Sequence, residues 1–518
     1  MPIIGSSGAL SLDIVKFDDP LGSGYYASTT SNITFNDIKI RNSAPSRAWV
    51  AVTYPNAFGL SNKVPGWVRI ENIDSDPTFV FTSAPRGTST TSDPFPYNLD
   101  GGFQLTPRLG INSSNVDGTA SSVFLPESNF TEHAFICGDF NAIVNESLVG
   151  GSGNVVRKVA FVNSTLSTPR LNPPQDVKNG YAHRCPILTE QNSSATYTDL
   201  YVDFPPDPGD DLAAVRVFAV GFTNTNLVRP FFVRYTLIGF GSLPFDQRHP
   251  KNIFVDAQRN LGSTLASASL NLNNVKTNAL RNSVNNNFYI SWKTVDRGDY
   301  VKTVISKFTG PNNINPIWDT SAHVGQNNNF EPGRFVLDDE ENCYYPFFDS
   351  TTNTGYFCKL DANGFPQWSK QVNNVNLTAA TLDDSNVFVT GHRTNGDIWL
   401  GKYSKDGNLI FSRNWASTLG NYNVTAMVKN DANVLISGTL NNAGFILNLS
   451  DNGHIANTGT YSGGSFVYSY SNIADQDAVN LNFKRGDIPQ STGTLLSHYG
   501  NVFNINIDNP PLSTNINL

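Results

Sequence analysis

A chain of 518 residues is too long for one ordinary core and is expected to hold two or three domains. Charged residues reach only 15% and aromatics 12%, with 41 Gly and 29 Pro, which is strand and turn material and excludes an architecture of long helices. The net charge of −8, with no Lys/Arg run, excludes a nucleic-acid surface, and no apolar stretch is long enough for a bilayer-spanning helix.

The opening residues Met1-Pro2-Ile3-Ile4-Gly5-Ser6-Ser7-Gly8 carry neither a basic nor an apolar leader segment, so export is not expected. Residues 1–120 read as an all-β docking domain resembling a small sandwich. Its candidate strands run from Ile33 to Ile40, Ala48 to Tyr54, Trp67 to Ile70 and Thr78 to Phe81, parted by Pro, Gly, Asn and Ser clusters.

Residues 121–250 repeat a strand pair twice at irregular spacing: Ala134-Phe135-Ile136-Cys137-Gly138 with Val155 to Val159, and Val217-Phe218-Ala219-Val220-Gly221 with Phe231 to Tyr235. Degenerate copies of the C-terminal repeat, or a second β domain, both fit.

From residue 251 to the end the repeat is plain. One copy reads Leu382 to Gly391, Gly396 to Tyr403, then Ser404 to Phe411; its neighbours start at Leu337 and Asn430, and a less regular one at Asn287. Turn glycines Gly364, Gly407 and Gly453 lie 43 and 46 residues apart, the length of one four-stranded blade. Lys307, Lys359 and Lys402 recur on the third strand, and Trp318, Trp368 and Phe411 recur after the turn, where they are expected to fill the space between blades. The alternating strand Asn501 to Asp508 is a candidate for closing the ring.

The run from Gly396 to Phe411 resembles the β-propeller repeats that carry Gly-Asp-aromatic-x-x-Lys-Tyr-Asp-x-x-Gly-Asn-Leu-x-Trp, over roughly residues 280 to 457, with Asn448 standing where the Lys is expected. The resemblance implies an all-β chain with a propeller of about five to seven blades behind the N-terminal sandwich-like domain. Leu10 to Ile14 and Ile33 to Ile38 resemble short elements that open many bacteriophage (cyanophage-like) virion and tail structural proteins.

Candidates for chemistry are few. His133, Cys137, His183 and Cys185 match no common zinc spacing and read better as buried thiols and scattered His. Cys343 and Cys358 fall on neighbouring strands, where reduced thiols are expected in a protein made in cytoplasm, with a bridge as the alternative. Asp207, Asp210 and Asp211, Asp338 to Glu341, and Asp383 with Asp384 could converge on calcium but read first as turn residues. Tyr25-Tyr26, Tyr344-Tyr345 and the tyrosines from Tyr461 to Tyr470 could stack on sugars, but alternation makes most of them packing residues. No Gly-x-Ser-x-Gly, His-Glu-x-x-His or phosphate loop occurs.

The expectation is therefore a non-enzymatic virion structural protein without cofactor or metal, tail-associated as adaptor, nozzle, fibre or host-recognition component. Its expected partners are other virion proteins and copies of itself. A lectin-like propeller holding a host-surface glycan, and a propeller glycosidase or lyase, are the alternatives.

Overall fold

The computed structural model describes residues 12–19, 22–41, 46–55, 63–86, 118–125, 134–145, 154–165, 180–184, 194–203, 215–224, 229–238, 252–261, 276–295, 301–310, 314–324, 328–417, 420–451, 459–463, 466–471, 476–477, 481–485, 491–492 and 501–508. All regular structure among them is β. The strands form six sheets, five of five or six strands and one of nine. The nine-stranded sheet consists of two four-stranded halves joined through one strand, Asn501–Asp508, so seven four-stranded units succeed one another around a ring.

Unit 1 is Thr34–Arg41, Arg47–Pro55, Lys63–Glu71 and Thr78–Arg86; unit 2 is Gly118–Phe124, Ala134–Asn145, Asn154–Thr165 and Gly180–Arg184. Unit 3 is Ser194–Asp203, Val215–Asn224, Arg229–Ile238 and Asn252–Asn260; unit 4 is Lys276–Asn282, Phe288–Val295, Val301–Phe308 and Pro316–His323. Unit 5 begins with the short Phe330–Pro332 and Val336–Leu337 and continues through Cys343–Asp349, Thr354–Leu360 and Pro366–Asn373. Unit 6 is Val375–Leu382, Asn386–Arg393, Ile398–Ser404 and Leu409–Ser417. Unit 7 takes Tyr422–Asn430, Asn433–Leu440 and Ala443–Ser450 from the repeat region and its fourth strand, Gly22–Asn32, from the N-terminus. The chain is a β-propeller.

A recurrent bulge shapes the innermost strands. The register skips one residue at Asn36, Ser121, Thr198, Asn278, Thr378 and Thr425, in units 1, 2, 3, 4, 6 and 7. Each is a small polar residue, and a bulge releases it from the ladder so that it can turn to its neighbour. Asn36 Nδ2 donates to Ala120 O of unit 2 at 2.7 Å, and Thr198 and Thr277 join units 3 and 4 through their hydroxyls at 2.7 Å. Asn278 Nδ2 donates to Pro332 O at 2.7 Å, and Thr425 Oγ1 donates to Phe35 O at 2.8 Å, from the last unit to the first. In four units a glycine faces the residue before the bulge: Gly138, Gly221, Gly391 and Gly438. A Cβ there would sit 1.9 to 2.2 Å from the carbonyl oxygen of Thr119, Thr196, Asn376 or Asn423, so the close approach of the bulged strand excludes side chains.

The described part of residues 1–120 differs from the sandwich expected of it. Thr34 to Arg86 is one sheet within the ring, and the preceding strands Leu12–Asp19 and Gly22–Asn32 complete unit 7. Burial explains the arrangement: Tyr25, Ala27, Phe35, Ile38, Val50, Leu435 and Ile446 share one core across units 1 and 7, which a detached sandwich would have to leave. The described strands of residues 121–250 fall in units 2 and 3.

The strand Asn501–Asp508 is not the closing strand, because the edge it would need is occupied by Gly22–Asn32. It lies instead between Thr78–Arg86 and Gly180–Arg184, joining the two halves of the nine-stranded sheet. It is the last piece of a strap that visits the units in reverse order. Phe466–Ser471 pairs with the outer strand of unit 6, Gln476–Asp477 with that of unit 5, Asn482–Arg485 with unit 4 and Ser491–Thr492 with unit 3.

Candidate functional site

Two constellations stand out, one between the outer parts of successive units and one at the axis. The first contains most of the residues singled out by the repeat. Lys307 and Trp318 face each other across unit 4, Lys359 and Trp368 across unit 5, and Lys402 and Phe411 across unit 6, each pair beside a bulge. In units 4 and 5 both members reach the third-to-fourth-strand turn of the next unit, and in unit 6 Lys402 reaches the residue after the third strand of unit 7. Trp318 Nε1 and Lys307 Nζ donate to Ala362 O at 3.0 and 3.2 Å. Trp368 Nε1 and Lys359 Nζ donate to Lys405 O at 3.2 and 3.3 Å, and Lys402 Nζ donates to Asp451 O at 3.1 Å. The turn glycines complete the clamp: Gly364, at φ +82°, lies against the Trp318 ring and Gly407, at φ +85°, against Trp368. Positive φ forms the turn, and a missing Cβ lets the indole close over it. Gly453 lies outside the described residues.

The same device closes the ring with different chemistry. Asn448, the departure from the repeat, pairs with Tyr25 as Lys359 pairs with Trp368. Tyr25 OH and Asn448 Nδ2 donate to Ile73 O in the corresponding turn of unit 1, at 2.7 and 3.1 Å. Asn430 Nδ2 adds a bond to Asp74 Oδ1 of that turn at 2.6 Å. Asn448 is thus a clamp donor whose acceptor lies at the other end of the sequence.

Lys307 also pairs with Glu341 of unit 5 at 2.7 Å. Burial would raise the Glu341 carboxyl, but hydrogen bonds from Lys307, Ser283 and Asn287 hold it at about 2, below its ordinary 4.5. Asp338 accepts from Asn342 N, Asn342 Nδ2 and Tyr344 OH, and Asp383 accepts from Ser385 N and Asn386 N, so both serve their own turns.

In the axial constellation three residues that directly follow bulges, Asp37, Ser122 and Asp199, meet two arginines of the next units. Asp37 of unit 1, Ser122 of unit 2, Asp199 of unit 3, Arg281 of unit 4 and Arg334 of unit 5 meet where the inner strands converge. Arg334 Nη1 pairs with Asp37 Oδ2 at 3.2 Å, and Arg334 Nη2 donates to Ser121 O at 2.9 Å. Arg281 Nη1 pairs with Asp199 Oδ2 at 2.8 Å. Ser122 Oγ stands 2.6 Å from both Asp37 Oδ2 and Asp199 Oδ1, and its single proton serves one carboxylate at a time. Asp37 is wholly buried; burial pushes its carboxyl up, but Arg334 foremost, with Lys39 and Ser122, holds it at about 2 against an ordinary 3.8. Side chains from five units thus meet in one network of ion pairs and hydrogen bonds.

Sequence reading missed this network because it weighed acidic clusters along the chain, whereas these charges come singly from separate units. A signal exists: Phe35-Asn36-Asp37-Ile38 and Tyr197-Thr198-Asp199-Leu200 are the same bulged segment, echoed without charge in Val424-Thr425-Ala426-Met427.

Cys137, Cys343 and Cys358 are free and buried, and burial holds each thiol above its ordinary range, so none is a reactive nucleophile. No bridge joins Cys343 to Cys358: the register sets Cys343 against Leu360 and Cys358 against Tyr345. No group of metal-ligating side chains converges among the described residues. Of the zinc candidates, His133 and Cys185 lie outside the described residues, as do Asp207, Asp210 and Asp211.

No protein-family model and no curated protein sequence matches the chain. Among solved structures, the C-terminal WD40 domain of Sif2 is similar over 85% of this chain and 99% of its own, at 10% identity and a TM-score of 0.35. A glucose dehydrogenase is similar over 51% of this chain and 97% of its own, at 8% identity and a TM-score of 0.22. A DUF4623 family protein from Bacteroides eggerthii is similar over 57% and 94%, at 8% identity and a TM-score of 0.17. The β-propeller fold rests on the order of this chain's own sheets around the ring.

Proposed function

We propose that the chain is a non-catalytic structural component of a virion, associated with the tail, in which the propeller is a rigid spacer and docking body. The observation that carries the non-catalytic part is the axial network. A ligand or substrate site needs a concavity with polar groups free to turn to a guest. Here Asp37, Asp199, Arg281 and Arg334 are spent on one another in the place where a ring offers its natural pocket. The assignment to a virion rests on the resemblance of Leu10 to Ile14 and Ile33 to Ile38 to virion elements, and on the low charge of the chain. Other virion proteins and further copies of the chain are the proposed partners.

Purified particles provide the test. Mass spectrometry should find the full chain in them at a fixed ratio to the tail proteins, and cryo-electron microscopy should place a ring of this size in the tail. Absence from particles, together with glycan binding or turnover by the isolated chain, would establish the lectin or glycosidase reading instead.

A further inference from the structure

We infer that the centre of the ring binds a small monovalent anion of the halide kind, seated between Lys39 of unit 1 and Arg281 of unit 4 as a resident counter-ion. The charges on the inner strands lie at two levels. One residue past the bulges stand Asp37, Ser122 and Asp199, with alanine at that place in units 4, 6 and 7, and Arg334 joins this level through its parallel bridge to Ala379. Two residues further along, on the same side of each strand, stand Lys39, Phe124, Tyr201, Arg281, Thr381 and Val428. The first level carries two carboxylates and one guanidinium; the second carries two cations and, at these positions, no acid.

Pairing between the levels leaves one charge over. Arg281 takes Asp199 Oδ2 at 2.8 Å and Arg334 takes Asp37 Oδ2 at 3.2 Å. Lys39 is left 3.4 Å from Asp37 Oδ1, on a carboxylate that already accepts from Val123 N at 3.1 Å and stands 2.6 Å from Ser122 Oγ. The Lys39 ammonium points inward: it feels Asp199, Arg281 and Arg334 of units 3, 4 and 5, which come within reach of unit 1 only at the centre. Burial foremost, with repulsion from the two arginines, pulls its pKa below the ordinary lysine range against the attraction of Asp37. The side chains of Lys39 and Arg281 nevertheless keep 28% and 24% of their surface open, so this level retains room beside both cations.

The charge defines the occupant. Among the described residues of this network three cations face two acids, an excess of one, which a single monovalent anion balances and a dianion would overshoot. A buried cation without a counter-charge is costly, and the Phe124 and Tyr201 rings, in edge contact at 4.9 Å on the arc between Lys39 and Arg281, keep the surroundings apolar. Arg334 Nη1 adds a buried N–H group that has an ion-pair partner but no hydrogen-bond acceptor. Such an ion is part of the fold and not a substrate, and the ring holds it whether or not the ring sits in a virion.

Two measurements on the full-length chain test the site. The thermal midpoint is followed at constant ionic strength and constant sodium while gluconate, a bulky anion, is exchanged for chloride. It should climb by about 1 to 3 °C and saturate, as for a ligand that binds only the folded state. In Lys39→Met the response should be flat, whereas Lys16→Met, which removes an exposed lysine on the strand Leu12–Asp19, should keep the climb. Diffraction from crystals grown in sodium bromide then locates the ion: an anomalous peak in contact with Lys39 Nζ is expected, and this decides alone should Lys39→Met not fold. Bromide confined to the outer surface would overturn the site. So would an equal chloride response in the parent and Lys39→Met, which is general salt stabilisation. A central bromide peak with a flat chloride curve would mean binding at crystal concentration only, and would overturn the resident counter-ion.

Discussion

The inter-unit clamp shows how much one position can carry. Trp368 is half-buried, packs near Tyr344 and Phe357, and spends its indole N–H on Lys405 O. Full burial would put Trp368→Ala at about 3 to 5 kcal/mol; its partial exposure lowers the expected loss to about 2 to 3 kcal/mol, readable as a fall in the denaturant midpoint. Trp368→Phe keeps the packing and removes one hydrogen bond, so about 1 kcal/mol is expected. Acid should act through two carboxyls. Asp37 and Glu341 are held at about 2 in the folded chain, against 3.8 and 4.5 when unperturbed. A lowered folded pKa gives stability that is complete above the unfolded value and lost as pH falls through the folded one. The melting temperature should therefore decline between about pH 4.5 and 2, and Asp37→Asn should flatten the lower part of that decline; a profile unchanged by the substitution would show that Asp37 does not contribute to it.

At the scale of strands, the bulge and its facing glycine form one device. Gly438→Ala would bring a Cβ to 2.1 Å from Asn423 O, and a bulged strand cannot move away without breaking the Thr425 bond to Phe35 O. Overpacking of this kind costs about 1 to 3 kcal/mol, and thermal melts of the variant against the parent would measure it. The glycine-ended strands Ala134 to Gly138 and Val217 to Gly221 were legible in the sequence because a short apolar run ending in Gly survives where turn residues drift. Lys307, Lys359 and Lys402 were legible as a repeat, whereas their acceptor is a turn carbonyl, which leaves no side-chain signature. Asn448 looked like decay of the pattern because its role depends on Ile73, which the chain reaches only by closing the ring.

Closure of the whole molecule is what local pattern could not supply. Nothing within the strand Gly22–Asn32 or the strand Ala443–Ser450 says that they pair; the shared core of Tyr25, Phe35, Leu435 and Ile446 decides it. Residues 1–120 consequently resembled a separate sandwich, and a ring drawn from the repeat alone would close with Asn501 to Asp508. Deleting residues 1–120 should therefore unfold the propeller rather than undock it, seen as loss of the cooperative melt. A milder variant, Tyr25→Phe with Asn448→Leu, strands the Ile73 carbonyl and should cost about 1 to 3 kcal/mol, more than the same pair of changes on an open edge. End-on cryo-electron microscopy of the isolated chain would image the closure itself. A closed ring of six sheets, one of double width, is expected, with density across its centre where Arg334 meets Asp37; an open arc beside a separate N-terminal body, or a clear bore, would contradict it.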